Sequence, residues 1–78
     1  MDTELFLKYL TFNKIEFELE KGKFYAFLKT DDQISEIATF LFWNFHKMMY
    51  SRKMFENYKY REFFMVVIDD REFVFEKI

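Results

Sequence analysis

The stretch from Ile15 to Leu28 restricts the fold more than any other part of the chain. Ile15, Phe17 and Leu19 alternate with Glu16, Glu18 and Glu20, the period of a strand buried on one side, and Lys21-Gly22, which holds the sole glycine, follows at once. Glycine takes positive φ without steric cost, so this pair predicts a two-residue hairpin turn into a second strand from Lys23 to Lys29. That turn length sets the register. Ile15/Leu28, Phe17/Ala26 and Leu19/Phe24 then share the core face, while Glu16/Phe27, Glu18/Tyr25 and Glu20/Lys23 share the other. Two large rings, Tyr25 and Phe27, are thereby placed on a face that carries three glutamates.

Helical spacing flanks this hairpin on both sides. Asp2 or Thr3 can cap a first helix running to about Phe12, with Leu5, Tyr9 and Phe12 on one face and Asn13 as a left-handed stop; a strand is the rival reading, because Leu5, Leu7 and Tyr9 also alternate. Thr30-x-x-Gln33 is a capping box, and the segment after it predicts a long helix to about Tyr50. Ile34, Ile37, Ala38, Leu41, Phe45 and Met48 form its core stripe, and Glu36, Phe40, Trp43, Lys47 and Tyr50 form a second stripe on roughly the opposite side.

After a transitional stretch from Ser51 to Asn57, the segment from Tyr58 to Ile68 is rich in aromatic and β-branched residues, Asp69 to Arg71 read as a turn, and Glu72 to Glu76 as a last strand. With Ile68 facing Phe73, one face of this second hairpin collects Phe64, Val66, Ile68, Phe73 and Phe75, and the other Phe63, Met65, Val67 and Val74. The order α-β-β-α-β-β predicts a small α+β domain over residues 1–78, with a four-stranded antiparallel sheet of two hairpins, one short helix and one long helix. No repeat or Pro/Gly/Ser-rich linker divides it.

Both sheet faces are apolar near the second hairpin. Either the two helices lie on opposite faces, or both pack on one and the bare face meets another chain. Composition sharpens the point. Thirteen Phe, five Tyr and one Trp among 78 residues exceed what so short a chain can hide, since a domain of this size buries only about 60% of the surface its unfolded form exposes. With no Cys, disulfides and thiolate metal sites are absent, which leaves oligomerisation or partner binding as the expected support. A homodimer is the expected state.

Little in the chain promises catalysis. His46 is the only histidine and lies off the core stripe, so triads, relays and histidine metal clusters lack most of their parts. Asp31-Asp32 suit a helix N-terminus, and Asp69-Asp70 suit a turn, better than a cation site. Without a phosphate loop, a metal motif or a nucleophile constellation, neither enzyme activity nor a metal or cofactor is expected. The N-terminus does not read as a secretory signal, and the longest strictly apolar run, Phe63 to Ile68, is far below the roughly 18 residues of a membrane-spanning helix. The expected setting is cytoplasmic, with no membrane contact.

Charge is uneven although the net is only −2. Residues 1–45 carry five Lys against eight acids, residues 46–61 five Lys or Arg against Glu56 alone, and residues 62–78 two bases against five acids. The middle segment interleaves Lys47, Arg52, Lys53, Lys59 and Arg61 with Tyr50, Phe55, Tyr58 and Tyr60. Arg52, Lys53, Lys59, Arg61, Tyr58 and Tyr60 are therefore candidate nucleic-acid contacts, able to neutralise phosphates and stack on bases. Phe40, Trp43, Lys47 and Tyr50 on the long helix, with Tyr25 and Phe27 on the sheet, are the candidate protein-binding residues.

Two functional classes follow. The leading expectation is a small non-enzymatic inhibitor or adaptor that covers a surface on a larger protein; the alternative is a nucleic-acid-binding module using segment 46–61, with an accessory subunit of an enzyme a distant third. Short length, missing catalytic constellations and surplus aromatic surface resemble, in style alone, the compact inhibitors that phages and other mobile elements direct against host machinery, including defence systems. The Phe, Lys and Tyr bias is also what an AT-rich genome would impose.

Overall fold

Three tight turns organise the sheet. In the computed structural model, which describes residues 1–78, Lys21-Gly22 (φ 52° and 79°), Asn57-Tyr58 (53° and 64°) and Asp69-Asp70 (51° and 62°) all place both residues at positive φ. This mirror-image geometry matches the right-handed twist of the strands it joins. The turns connect β1 (Phe17–Glu20) to β2 (Lys23–Leu28), and β3 (Tyr50–Glu56) through β4 (Lys59–Ile68) to β5 (Arg71–Lys77). The first hairpin has the register read from its turn, with Phe17 opposite Ala26, Glu18 opposite Tyr25, Leu19 opposite Phe24 and Glu20 opposite Lys23.

The sheet has five strands, not four, in the order β1-β2-β5-β4-β3. Residues 51–57, expected to be transitional, form most of β3 and the first residue of its turn. The sheet is also mixed, because β5 inserts between the hairpins and pairs parallel with β2, Phe24 opposite Phe73 and Ala26 opposite Phe75. Both departures have one cause. β3 is an edge strand exposed along almost its whole length, so it carries no period-2 apolar signal, whereas the central β5 reads Phe73-Val74-Phe75, a continuous apolar run buried on both faces. In the second hairpin Ile68 pairs with Arg71 and Val66 with Phe73. That is two residues from the expected register, and because side chains alternate with period two, the sorting of residues between faces is unchanged.

Two helices, α1 (Asp2–Phe12) and α2 (Asp31–Phe45), cover one face. The core is a continuous cluster of Phe6 and Leu10 from α1, Ile37 and Leu41 from α2, Ile15, and Ala26, Leu28, Val66, Ile68, Phe73 and Phe75 from the sheet. Phe6 sits at its centre, in edge contact with Phe73 at 4.9 Å between ring centroids. The buried pair on α1 is thus Phe6/Leu10, not Leu5/Tyr9/Phe12; Leu5 and Phe12 are exposed. Asn13 closes α1 with φ −88° rather than in the left-handed region, which passes to Lys14, while the Asn13 amide donates to the Tyr9 carbonyl at 2.8 Å.

Capping is local in α2 and long-range in α1. Thr30 and Gln33 form the expected reciprocal box. Neither Asp2 nor Thr3 caps α1 with its own side chain; instead the Asp69 carboxylate, from the β4–β5 turn, accepts from the Thr3 backbone N–H at 2.9 Å and the Thr3 hydroxyl at 3.0 Å. A turn residue therefore holds the helix N-terminus against the sheet and satisfies one of its free donors. α2 stops at Phe45, five residues before the expected end, where His46 takes a left-handed conformation and its N–H bonds back to the helix. Met48 consequently leaves the core stripe and is exposed. No helix is long and apolar enough to cross a membrane.

Candidate interaction surfaces

With both helices on one side, the opposite face of the sheet has no covering layer. Strand alternation places Glu18, Glu20, Lys23, Tyr25, Phe27, Glu72, Val74, Glu76, Phe63, Met65, Val67, Tyr50, Arg52 and Met54 on it. Phe27 is 55% exposed, Tyr50 55% and Val67 43%. Val74 is nonetheless buried, because Tyr25 and Met65 stand beside it on the adjacent strands. Tyr25 and Phe27 meet edge to face at 5.3 Å between centroids. The two rings that the hairpin register puts among glutamates do lie there, both on the open face.

A charged network crosses this face. Glu76, buried at the centre of the sheet, accepts from Arg61 Nε at 2.8 Å and from the second Arg61 nitrogen at 2.9 Å, and the Tyr25 hydroxyl donates to the same carboxylate. Arg61 also reaches Glu56 at 3.1 Å and lies over the Phe63 ring at 5.0 Å. The bidentate guanidinium holds the Glu76 carboxyl below the usual carboxylate range, despite the opposing effect of burial. Burial, and then the bond to Glu76, push the Tyr25 phenol up to about 12. The Arg61 guanidinium is held charged even more firmly than usual by Glu76. A buried carboxylate is thus satisfied without a helix to shield it.

The helix side carries a second apolar surface. Trp43 is 72% exposed on α2, edge-on to the exposed Phe42 at 5.6 Å. It forms the ridge between two grooves. One, of about 420 Å³, is lined by Ile34, Ala38, Phe42, Trp43, Met48, Met49 and Phe64 with Thr39 as its one polar residue; the other, of about 620 Å³, runs past Ser35, Glu36, Thr39 and Asn44.

The predicted binding stripe is divided by the fold. Phe40 belongs to the monomer, stacked on Tyr9 at 3.9 Å and 6° and packed against Phe6 and Phe45. Burial and the nearby Glu36 carboxylate both raise the Tyr9 phenol. Lys47 lies half-buried in the connection after α2, and Tyr50 is on β3, facing the open side. Of the stripe's three rings, Trp43 alone remains exposed on the helix.

The basic segment is divided as well. Arg52, Lys59 and Arg61 lie on the open face, Lys53 and Tyr60 on the other, and Tyr58 projects from the β3–β4 turn. Arg61 is committed to Glu76 and Glu56. Tyr60 instead packs against Phe55 at 5.0 Å, beyond the reach of the helices. Sequence reasoning missed Phe42, Met48 and Met49 as groove residues: Phe42 belongs to neither predicted helix stripe, and Met48 and Met49 reach the groove only because the helix ends at Phe45. His46 is exposed at that helix end. No protein-family model, curated protein or solved structure matches this chain.

Proposed function

We propose that this chain is a small non-enzymatic binding protein that acts by occluding a surface on a larger protein, with the Trp43 ridge of α2 as its anchor. The observation that carries the reading is the exposure of Trp43 between an apolar and a polar groove. A large ring that is costly to leave in water, next to an apolar cleft and rimmed by Glu36, Ser35 and Asn44, has the composition of an interface centre with a polar margin. The ionisable clusters support a non-catalytic role, since Arg61, Glu76, Glu56 and Tyr25 satisfy one another within the fold. Binding to nucleic acid is the less favoured reading, because the basic residues are shared between two faces of the β3–β4 hairpin.

The test is capture of partners from the native host cell with the wild-type chain, followed by direct binding to the isolated partner. Trp43→Ala is expected to weaken that binding by about tenfold or more while shifting stability by only about half a kcal/mol. Unchanged affinity in a folded Trp43→Ala variant would refute the anchor. Recovery of nucleic acid, bound with steep salt dependence, would replace the reading itself.

A further inference from the structure

We infer that β3, a free edge of the sheet, pairs antiparallel with β3 of a second copy of this chain, about a two-fold axis perpendicular to the sheet. Arg52 then lies opposite Glu56 of the second copy, Lys53 opposite Phe55, and Met54 opposite Met54 on the axis. The inference concerns neither the Trp43 ridge nor the uncovered face of the sheet, and it does not rest on the binding of a larger partner.

The backbone of β3 decides what an incoming strand meets. The two-residue turn Asn57-Tyr58 closes on Glu56 opposite Lys59, so that pair exchanges both of its backbone bonds, and by alternation so do Met54/Arg61, Arg52/Phe63 and Tyr50/Met65. The N–H and C=O groups of Ser51, Lys53 and Phe55 therefore point away from the sheet. β3 runs seven residues in unbroken register, without proline or bulge, and no strand lies on its outer side. The opposite edge, β1, offers only four residues. Pairing β3 on β1 would also leave an open edge at each end and grow without limit, whereas β3 on β3 closes at two copies.

Charge selects the occupant and the register. Faces and backbone groups stay in phase only when odd residues oppose odd and even oppose even, so the two-fold axis must pass through a residue. An axis through Arg52 or Lys53 sets like charges directly opposite, and one through Phe55 pairs no charges and shortens the overlap. An axis through Met54 sets Arg52 against Glu56 twice on one face and Lys53 against Phe55 twice on the other, with no like charges opposed. Arg52 makes no ion pair in its own chain, and Arg61 takes Oε2 of Glu56, which leaves Oε1 for the second copy's guanidinium. The Arg52/Glu56 pairs are of the non-hydrogen-bonded kind, in which side chains stand closest. Each Lys53/Phe55 pair exchanges backbone bonds, and the Lys53 stem covers a Phe55 ring that is 62% exposed and has Tyr60 as its one ring neighbour. The perpendicular axis keeps the helices of both copies on the same side of the joined sheet.

A contact limited to Arg52 to Glu56 lies at the small, transient end of protein interfaces, so it is read at high micromolar concentration. Sedimentation equilibrium of the full chain there is expected to show a species near twice the 9.9 kDa chain mass. Amide hydrogen exchange gives the register, because the Lys53 and Phe55 N–H groups should slow as concentration rises while that of Ser51 stays fast. Lys53→Pro removes an outward N–H without touching the β3–β4 ladder and should abolish the dimer in a folded chain. Arg52→Glu should weaken it about tenfold, whereas Lys8→Glu, the same change in net charge on the exposed side of α1, should leave it unchanged. Circular dichroism confirms that each variant is folded. A wild type that stays monomeric at high micromolar concentration would overturn the inference, as would a dimer in which the Lys53 and Phe55 amides exchange freely, one that survives Lys53→Pro, or one weakened equally by Arg52→Glu and Lys8→Glu. Protection of those two amides that is gained only on adding a larger protein would assign the edge to that protein and overturn the second copy.

Discussion

The two faces of the sheet draw on similar side chains and use them differently. The covered face presents Phe24, Phe64, Val66, Ile68, Phe73 and Phe75 to two helices, and most of these are buried. The open face presents Tyr25, Phe27, Phe63, Met65, Val67 and Val74, of which only Val74 is fully buried. What separates them is neighbours rather than hydrophobicity. On the covered side each ring meets rings from another layer, as Phe6 meets Phe73, whereas on the open side contacts run only sideways along the sheet. Stability should therefore be concentrated on the covered face.

The sharpest way to break that contrast is to truncate the same residue type on each face. Phe73→Ala removes a ring enclosed by Phe6 and Phe24 and is expected to cost about 4 kcal/mol, most of the roughly 5 kcal/mol that so small a domain possesses. Phe27→Ala, on the neighbouring strand, should cost less than about 1 kcal/mol in the monomer. Urea unfolding at concentrations where the monomer dominates measures both. Comparable losses would mean that the open face is core after all.

A smaller effect tests whether the open face has any internal anchor. Glu76→Ala strands Arg61 and the Tyr25 hydroxyl and should cost about 2 kcal/mol, against well under 1 for Val67→Ala on the same face. Equal costs would deny the network a structural role.

The pH profile of stability reports the same groups. Glu76 and Asp69 have folded pKa values below the unfolded ones, Glu76 through Arg61 and Asp69 through its bonds from Thr3. Their contribution is complete above the usual carboxylate range and is lost as pH falls through their lowered values. Tyr25 is raised instead, so its contribution is complete below about pH 10 and disappears as pH rises towards 12. The midpoint of thermal unfolding should thus fall at both extremes. Tyr25→Phe should shrink the alkaline fall while leaving a residue from Tyr9, and an unchanged alkaline limb would show that Tyr25 does not titrate with folding.

How far the sequence foretells this arrangement differs between the two faces. The first hairpin was legible because one glycine and one alternating run fix turn, register and facing together. The face sorting of β4 and β5 was legible even though the register was not, since a slip of two residues preserves it. β3 was not legible, because an edge strand wet on both sides has no apolar period, and its turn is Asn57-Tyr58, which lacks the glycine that marks such turns. The end of α2 was missed for a related reason. Helical spacing continues through Met48 and Tyr50, and nothing local announces that His46 will adopt a left-handed conformation.

That misplaced helix end sets the last and smallest expected effect. A continuous helix to Tyr50 would put Trp43 and Tyr50 on one face, two turns apart, and their truncations would then be coupled. The fold instead separates them. Trp43 stands on α2 on the covered side, and Tyr50 pairs with Met65 on β3 and faces the open side. Groups that share no partners behave additively within about half a kcal/mol, so the cycle of Trp43→Ala, Tyr50→Ala and the double variant should show no coupling in stability. It should also divide the binding phenotypes, with Trp43→Ala weakening capture of the larger partner and Tyr50→Ala leaving that capture unchanged. A coupling of 1 kcal/mol or more would return the two rings to one surface and, with them, the separation of the two faces would fail.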